Sequence, residues 1–301
     1  MTSTNAINAF AEQHSFDAGA LQVEELDGIR CAVDCHNAIN NGYASLPSDV
    51  LEQDMAVGLI WPLYERCTER VYGALVAMTT SCAASSEVLA RATIEATVTF
   101  RYILGDRNGR LASFFQDHLD QAERQEKQWR REAEQLRELE RTEHLAACDY
   151  RRQGIAAIKE FVELINSQLV PSGSIPAWPN IALRFQAVGD RIAYRTSYAR
   201  LCAEPHLDAE ETLRYFIGKV MGPELLEAMA VETIMFSRFL LADAVRAYAE
   251  AGKEFASSYG MSSAMRTCVA AQELMHRHSI NLSNHIGAHP SAEFREDSSQ
   301  D

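Results

Sequence analysis

The feature that most constrains the fold of this chain is a series of long runs rich in Ala, Leu, Glu, Arg and Gln, separated only by short breaks that contain Gly or Pro. These residue types favour helices, whereas the alternating β-branched and aromatic patterns that are typical of strands are nearly absent. The chain has 301 residues, of which 47% are hydrophobic, so it can bury a sizeable core. We therefore predict an all-α fold, built as a multi-helix bundle.

The positions of the Gly and Pro breaks predict seven helices. Gly58 and Pro62 interrupt the second helix and Gly154 interrupts the third, so each of these two is expected to be broken or kinked. The predicted helices cover residues of about 20–41, 48–104, 109–168, 179–203, 208–219, 223–258 and 261–286.

Two neighbouring segments have opposite characters. Residues 70–104 are apolar or small on almost every side, which is typical of a helix at the centre of a bundle. Residues 117–152 are rich in charge and keep only a narrow apolar stripe, which suits a solvated helix or a projecting helical hairpin. Two interpretations of this charged arm stay open: an arm surrounded by solvent, or an arm that binds a partner or a second copy. The stripe consists of Leu119, Ala122, Trp129, Ala133, Leu136 and Leu139.

The sequence VPSGSIPAWPN contains three prolines, a glycine and two serines, and it predicts a linker at residues 171–180. This linker divides an N-terminal helical half, residues 1–170, from a C-terminal half, residues 181–289. We expect the halves to pack together, because the central helix needs more partners than the first half supplies. The first few residues and the polar, charge-rich tail at residues 290–301 are expected to be loose.

Charge and cysteine usage exclude several classes of function. The net charge of −14 opposes broad contact with nucleic acid, so RNA or a nucleotide would need a local basic site built by the tertiary structure. No run is long and apolar enough to span a bilayer, and the N-terminal segment lacks the pattern of a signal peptide, so we expect a cytoplasmic protein without membrane contact. The seven cysteines are scattered and contain no CxxC pair, which predicts free thiols rather than disulfides or zinc.

The first candidate constellation is Glu87, Arg91 and Glu95, spaced four residues apart on the apolar central helix. Such spacing stacks the three side chains on one helical face. Because buried ions must be paired and hydrogen-bonded, the three should contact each other or polar groups elsewhere. Either a structural ion pair that fixes the helix register or a ligand-binding or catalytic cluster fits this pattern.

The second candidate is the segment from Arg184 to His206. On a continuous helix, five of its side chains lie on one side and form a basic and aromatic stripe. Pro205 ends the helix, and His206 follows the break as a candidate proton donor, proton acceptor or salt-bridge partner; a structural cap is the alternative. The stripe consists of Arg184, Arg191, Arg195, Tyr198 and Cys202.

Arg200 precedes His206 by six positions, and this spacing is similar to the R-x4-6-H pattern of the HEPN superfamily. The resemblance implies a helical protein that cleaves RNA as a dimer, in which the arginine and the histidine assist attack by a ribose 2′-hydroxyl. That chemistry needs a proton-transfer group and a cation, and these two residue types supply them. One departure is Leu201, at a position where HEPN ribonucleases usually carry a polar residue.

The third candidate lies near the C terminus, where Glu273 and His276 form an ExxH pair that is followed by His278, His285 and His289. A di-iron site of the ferritin type also needs a second ExxH, which the sequence lacks, so we predict no metal and no cofactor. Phosphate-loop, GxGxxG, GxSxG and HExxH motifs are absent as well. The three tryptophans belong to no motif and are predicted to serve packing; they are Trp61, Trp129 and Trp178.

LARATIEATVTFRYIL, which ends at Leu104, and the segment from Trp178 to Phe216 together resemble a widespread bacterial family of all-helical proteins of unknown function. In that family an R-x3-E helix packs with a Y-x3-Y-x2-L-S-x3-H helix, and the resemblance covers about residues 71–216. Cys202 replaces the usual serine, which exchanges a strong hydrogen-bonding group for a weak one. The motif positions correspond to Arg91, Glu95, Tyr194, Tyr198 and His206.

These observations predict that the Arg91/Glu95 face meets the segment from Tyr194 to His206 in one polar cluster within an apolar core. One hypothesis makes this cluster the RNA-cleaving or nucleotide-handling site of a defence or toxin-like protein, and the alternative is a non-catalytic helical interaction or oligomerisation protein. Whether the chain is an enzyme stays open. The candidate catalytic residues are His206, Arg91, Glu95, Tyr198 and Arg200, and the candidate binding residues are Tyr194, Arg195, Arg191 and Glu87.

Overall fold

The fold is all-α, as predicted. A computed structural model describes residues 3–171, 174–198, 216–217, 219–220 and 222–285, and no strand occurs among them. None of the helices in these ranges is sufficiently long and apolar to cross a membrane.

The described chain consists of helices joined by short turns. A short 3-10 helix, Ala18–Ala20, follows the first helix, and a π-helical turn, Tyr194–Tyr198, continues the ninth. The α-helices are α1 (Ser3–His14), α2 (Val23–Ala44), α3 (Ser48–Gln53), α4 (Met55–Thr79), α5 (Ala83–Leu104), α6 (Arg107–Ala133), α7 (Glu138–Leu169), α8 (Ile181–Ala187), α9 (Arg191–Ala193), α10 (Pro223–Ser258) and α11 (Ser262–His285).

The last two helices lie where the sequence predicts them, and α2 covers most of the predicted helix at residues 20–41. The sequence analysis did not predict α1, which begins at Ser3 and buries Phe10, whose ring packs edge-on against Tyr72 at a centroid distance of 5.2 Å. Most of the predicted helix at residues 208–219 and the tail at residues 290–301 lie outside the described ranges.

The predicted helix at residues 48–104 is not broken at Gly58 or Pro62, where the sequence analysis expected an interruption. Pro62 lies inside α4, and the chain turns instead after Thr79, so the predicted continuous helix at residues 70–104 is also wrong. Ser81 adopts a left-handed backbone with φ of 61°, and the N–H of Cys82 donates to the carbonyl of Ala77 at 2.8 Å. This is the hydrogen-bonding pattern of a Schellman C-cap, which ends a helix without glycine or proline at the turn.

The predicted helix at residues 109–168 is two antiparallel helices, α6 and α7, which form a hairpin. The prediction of a break at Gly154 is wrong, because α7 continues through it, and the turn is at residues 134–137. The turn contains no Gly or Pro, so packing decides its position: a small core joins the two helices. Of the predicted apolar stripe, Trp129, Leu136 and Leu139 are exposed. The core consists of Leu119, Ala122, Ile155 and Val162, with Phe115 packed against it.

The predicted helix at residues 179–203 is also interrupted. After α8, Gly189 has a φ of +82°, and the N–H of Asp190 donates to the carbonyl of Phe185 at 2.9 Å. A left-handed residue at this position favours glycine because any side chain would be strained there. The chain then forms one short turn of α-helix and the π-helical turn.

The chain divides into two compact units. Unit 1 contains Met1–Gln53, Gly58–Tyr102 and Ile181–Asp301, and unit 2 contains Asp54–Val57 and Ile103–Asn180. Unit 2 ends at the last residue of the predicted linker, and the described part of that linker is not helical.

Within unit 1, α10 and α11 pack against each other and against α2. An aromatic cluster lies at the centre of this unit, and it includes Tyr64, which lies 5.3 Å from Tyr248 and 5.8 Å from Phe255 between ring centroids. Tyr248 Oη and Thr68 Oγ1 share a hydrogen bond of 2.8 Å. Because both tyrosines are fully buried, desolvation raises the pKa of Tyr64 and that of Tyr248 well above the ordinary value.

Cysteines and tryptophans follow the predictions in part. All six described cysteines are free thiols, and five are buried while Cys82 is exposed. Trp61 stacks on Tyr43 at 4.2 Å, which confirms a packing role for that residue. Trp129 differs, because it is half exposed and is covered on one face by the guanidinium of Arg151 at 4.3 Å.

Candidate functional site

The polar face of α5 is directed into unit 1. Glu87 is buried and Arg91 and Glu95 are half-buried, so the three side chains lie one above another along the helix, as their spacing predicts. Among the described residues, no ion pair joins Arg91 to either carboxylate. The three side chains therefore do not pair with one another. Each of them contacts a group on another element instead.

Tyr198 is where the two predicted motif helices meet. Its hydroxyl donates a hydrogen bond of 2.8 Å to the carboxylate of Glu95, although the two residues are 103 positions apart. The guanidinium of Arg91 lies 5.6 Å from the centroid of the same ring, within the range of a cation–π contact. Tyr198 is only 4% exposed, so this hydrogen bond is screened from water and is stronger than a surface contact.

Apolar neighbours fix the position of the Tyr198 ring. The ring lies 5.2 Å from Phe185 and stacks on Tyr194 at 5.7 Å. The same core cluster contains apolar residues of α5 and α10, so it holds three segments together. Tyr194, predicted as a binding residue, thus supports the ring of Tyr198.

Glu87 contacts a different element. It accepts a hydrogen bond from the hydroxyl of Ser237 on α10, and both residues are buried. Two helical turns, about 12 Å of helix, separate it from Glu95. Glu87 therefore connects α5 to α10 and does not share the contact with Tyr198.

The predicted basic and aromatic stripe does not form as one surface. Arg184 donates to Thr99 Oγ1 and Tyr198 is buried, whereas Arg191 and Arg195 are exposed. The prediction assumed a continuous helix, and the break after α8 together with the π-helical turn changes the direction of each side chain. Cys202 lies outside the described residues.

Arg200 and His206 also lie outside the described residues. Along the chain His206 follows Tyr198 by eight positions. Their catalytic roles stay predictions.

A buried arginine at the end of α5, which the sequence analysis missed, holds the chain that leads to Tyr198. The side chain of Arg101 is 5% exposed and forms an ion pair with Asp190 immediately before α9. On α10 it contacts Glu254 at 2.8 Å and Glu250 at 3.4 Å. Burial alone would lower the pKa of Arg101, but Glu250, Glu254 and Asp190 outweigh it and raise the pKa above the ordinary value. We call these four residues the Arg101 cluster.

The only signal in the sequence for the Arg101 cluster is a single arginine near the end of an apolar helix. Its three carboxylates come from segments 89 to 153 positions away, and no spacing rule connects them. The cluster positions the functional segment, because Asp190 precedes α9 and the Tyr194–Tyr198 turn directly.

Two buried cysteines and the ExxH region of α11 offer no second reactive centre among the described residues. Desolvation raises the pKa of the Cys31 thiol and that of the Cys67 thiol to about 12, so neither forms a thiolate nucleophile near neutral pH. In the ExxH region, His278 is hydrogen-bonded to Asp27 at 2.8 Å. Nowhere in the described ranges do three His, Cys, Asp or Glu side chains come together as metal ligands.

The model of a family of unknown function, DUF5677, matches residues 58–220, which is more than half of the chain. The chain belongs to the DUF5677 family. This confirms the predicted membership in a family of unknown function, whereas the two sequence motifs and the similarity to HEPN proteins stay predictions. No curated protein and no solved structure matches the chain.

The DUF5677 match includes α5, the segment from α8 to the π-helical turn, and the sequence that carries Arg200 and His206. It also includes the α6–α7 hairpin, so both units contribute to the family region. Helices α10 and α11 lie beyond it, although α10 supplies two carboxylates of the Arg101 cluster.

Proposed function

We propose that this DUF5677 protein cleaves RNA, and that Arg91, Glu95 and Tyr198 belong to the active site. The observation that supports this function is the contact of Tyr198 with two charged side chains of α5, Arg91 and Glu95. It brings an arginine and a carboxylate to the segment whose next residues along the chain include Arg200 and His206. A cation for phosphate and a proton-transfer group are the two requirements of the reaction.

In the proposed reaction, the imidazole of His206 accepts the proton of a ribose 2′-hydroxyl, and the 2′-oxygen attacks the adjacent phosphorus. The bond from phosphorus to the 5′-oxygen breaks, and that oxygen takes a proton from a water molecule. The imidazolium of His206 then gives its proton to the hydroxide that remains, which restores the neutral base. The products are a 2′,3′-cyclic phosphate and a 5′-hydroxyl end. The guanidinium of Arg91 or Arg200 stabilises the negative charge on the phosphorane, and Glu95 fixes Tyr198 through its hydrogen bond.

Substrate binding in this proposal depends on local cations. Arg191 and Arg195 are exposed on the segment that leads to Tyr198, and they offer contacts to phosphate. Because the whole chain carries a net charge of −14 and these cations are few, RNA binding should be weak. Few phosphate contacts also release few counterions, so the affinity should fall only moderately as the salt concentration rises.

The test is cleavage of a fluorescent single-stranded RNA by the full chain in the presence of a chelator, with DNA of the same sequence as the matched substrate. We expect RNA to be cut to products with 2′,3′-cyclic phosphate ends and DNA to stay intact, because DNA lacks the nucleophile. His206→Ala and Arg91→Ala should each reduce the rate by about a hundredfold or more. The matched control is His118→Ala on the exposed surface of α6, which should cleave normally.

Melting temperatures of the same variants separate catalysis from folding. A His206→Ala variant that melts normally and cleaves RNA at the rate of the unchanged chain would refute the proposal. So would cleavage of DNA at a comparable rate.

A second candidate function is non-catalytic recruitment of a protein, or self-association, through the α6–α7 hairpin. The observation that favours it is exposure of large apolar side chains on a charged hairpin: Leu139 is 81% exposed and Tyr150 is 80% exposed. Gln125 of α6 contacts Arg151 of α7, so these two residues lie at the same distance from the tip of the hairpin. Replacing residues 124–152 by a short Gly-Ser linker therefore removes the tip and shortens both helices equally. We expect this variant to lose partner binding or to change its oligomeric mass, whereas RNA cleavage should be retained.

A further inference from the structure

Arg91 has a glutamate one helical turn away on each side and pairs with neither of them. Glu87 and Glu95 stand four positions before it and four positions after it on α5, and side chains at this spacing are neighbours on a helix. In the described ranges, no ion pair includes Arg91. A half-buried guanidinium that leaves two such neighbours unused requires a physical explanation.

Other arginines of this protein do pair with a carboxylate on their own helix. Arg130 contacts Glu126, four positions earlier on α6, at 3.0 Å. Arg246 contacts Asp243, three positions earlier on α10, at 2.7 Å. The spacing around Arg91 is therefore sufficient for an ion pair in this fold, so a competing contact must hold each of its two glutamates.

The competing contacts are two hydroxyl groups from other parts of unit 1. Ser237 of α10 donates a hydrogen bond to Glu87, and Tyr198 donates one of 2.8 Å to Glu95. Ser237 is 1% exposed and Glu87 is 6% exposed, so their hydrogen bond is screened from water. Each glutamate is thus held by a neutral group instead of by the arginine between them.

A second contact fixes the side chain of Ser237. Its Oγ also lies 2.9 Å from the carbonyl oxygen of Thr233, one turn earlier on the same helix, and this contact selects one side-chain conformation. The hydroxyl is therefore held beside Glu87 by α10 itself. Ser237→Ala should remove the hydroxyl and leave the backbone of α10 in place.

The consequence for Arg91 is that its N–H donors stay available. The guanidinium lies 5.6 Å from the centroid of the Tyr198 ring, and none of its N–H groups donates a hydrogen bond to another described residue. A guanidinium can bind a phosphate group through two parallel N–H groups. The two glutamates still weaken such a contact through their negative charge, in agreement with the weak RNA binding expected from the net charge.

We propose that Ser237 is a positioning residue of the RNA site: by holding Glu87, it keeps Arg91 available for a phosphate group of RNA. Without the hydroxyl, the carboxylate of Glu87 would turn to Arg91, the cation one turn away on its own helix. This role rests on the proposed RNA cleavage, and it adds a residue of α10 that lies outside the region matched by the family model.

The test compares cleavage of the same fluorescent single-stranded RNA by Ser237→Ala and by the unchanged full chain. We expect Ser237→Ala to cleave at least about tenfold more slowly, because Glu87 then neutralises Arg91. The double variant Ser237→Ala and Glu87→Gln should recover to within about threefold of the unchanged rate, since a neutral amide does not compete for the guanidinium. A serine with a merely structural role would not be rescued by this second change.

Ser86→Ala is the matched control. Ser86 is also buried, precedes Glu87 on α5 and donates to the carbonyl of Ala74 at 2.9 Å, so the variant loses a comparable hydrogen bond without releasing a carboxylate. Cleavage by Ser86→Ala should be unchanged, whereas the melting temperatures of Ser86→Ala and Ser237→Ala should fall by similar amounts.

Chemical labelling of Arg91 gives a readout that needs no RNA. Phenylglyoxal reacts with accessible guanidinium groups, and mass spectrometry of the peptide that carries Arg91 measures the rate. Labelling should slow by about threefold or more in Ser237→Ala and recover in the double variant, because an ion pair protects the guanidinium. Exposed Arg191 should be labelled equally in all variants. This labelling pattern in a chain that cleaves no RNA would refute the proposed function and still support control of Arg91 by Ser237.

Two results would overturn the role of Ser237. The first is a Ser237→Ala variant that folds normally and in which Arg91 is labelled as fast as in the unchanged chain. The second is a double variant as slow as Ser237→Ala in both measurements, which would mean that the serine acts through packing alone. If Ser237→Ala does not fold, Glu87→Gln decides: it keeps an acceptor for Ser237 and removes the competing charge, so it should bind the RNA about threefold more tightly, and weaker binding would contradict the role.

Discussion

Helix α5 and helix α7 differ in where their polar and apolar side chains lie. Helix α5 is apolar on most sides, and its few charged groups are satisfied inside unit 1 by Tyr198, Ser237 and the residues of the Arg101 cluster. Helix α7 is rich in charge, and yet Phe161 and several other large apolar residues stand in solvent. Buried polar groups with complete sets of partners specify one internal arrangement, whereas exposed apolar groups in a regular row are suited to a contact with another molecule. The two helices therefore differ in where their exceptional side chains lie: inside unit 1 for α5 and on the surface of unit 2 for α7.

The strongest test of internal order in unit 1 is Arg101→Ala. Without the guanidinium, Asp190, Glu250 and Glu254 lose their shared partner, so we expect a loss of about 3–5 kcal/mol in the free energy of unfolding. Urea unfolding measures it. Arg66→Ala removes an exposed ion pair with Glu69 and serves as the control, with an expected loss below about 1 kcal/mol.

The pH dependence of the Arg101 cluster follows from the raised pKa of Arg101. A group whose pKa is higher in the folded state stabilises the protein fully below its unfolded pKa and loses that effect only as pH rises through the folded value. The contribution of Arg101 protonation should therefore be constant between about pH 6 and 9. A difference between Arg101→Ala and the unchanged chain that disappears within this range would contradict the assignment.

Two glycine substitutions compare a closely packed helical position in unit 1 with an open one in unit 2. In Gly252→Ala the new Cβ would lie 2.9 Å from Cys268 Sγ and 3.0 Å from Tyr64 Oη, so we expect a loss of about 1–3 kcal/mol. In Gly154→Ala the new Cβ meets no atom within 4 Å, and alanine favours the helix, so a gain of about 0.5–1 kcal/mol is expected. Thermal unfolding of both variants measures the contrast, and equal effects would mean that the close contacts at Gly252 do not penalise an added methyl group.

The hydrogen bond between Tyr198 and Glu95 has a smaller expected effect. Tyr198→Phe keeps the ring beneath Arg91 but removes the donor, which should reduce stability by about 1–3 kcal/mol. Tyr150→Phe on the exposed surface of α7 is the matched control and should leave the unfolding midpoint unchanged. If both substitutions had the same effect, Tyr198 would contribute through its ring alone.

The smallest expected effect is a change of one pKa at the surface of the hairpin. Hydrogen bonding to Arg130 lowers the pKa of Asp149 below its ordinary value, so the stabilisation is present above that ordinary value and is lost as pH falls through the lowered one. In Arg130→Ala, NMR titration should show the pKa of Asp149 returning upward. An unchanged pKa would assign the shift to Arg152 instead.

The helix boundaries show where sequence patterns suffice. Helix α10 begins at Pro223, one residue after Gly222, and proline at the start of a helix is a signal that the sequence carries locally. The turn at residues 134–137 and the left-handed Ser81 carry no such signal, because nothing in these short segments disfavours a continuing helix more than the residues around them. Contacts with distant parts of the chain decide those positions.

The same distinction applies to the candidate site. The spacing of Glu87, Arg91 and Glu95 was enough to place them on one face of one helix, and the family motif connected that face to Tyr198. Which residue contacts which was not contained in the spacing. Glu87 takes Ser237 of α10 as its partner, and Arg101 collects three carboxylates without belonging to any motif.

The sequence by itself determined that this protein is helical, that α5 is apolar with a charged face, and that the segment before the hairpin turn is rich in charge, because helix propensity and periodicity are properties of neighbouring residues. Only the tertiary structure decided where the long helices break, that Arg101 holds the segment leading to Tyr198, and that large apolar side chains of α7 are exposed. Those features depend on which distant surfaces satisfy each other's burial and hydrogen bonding, and side chains acquire such partners only when the chain is folded.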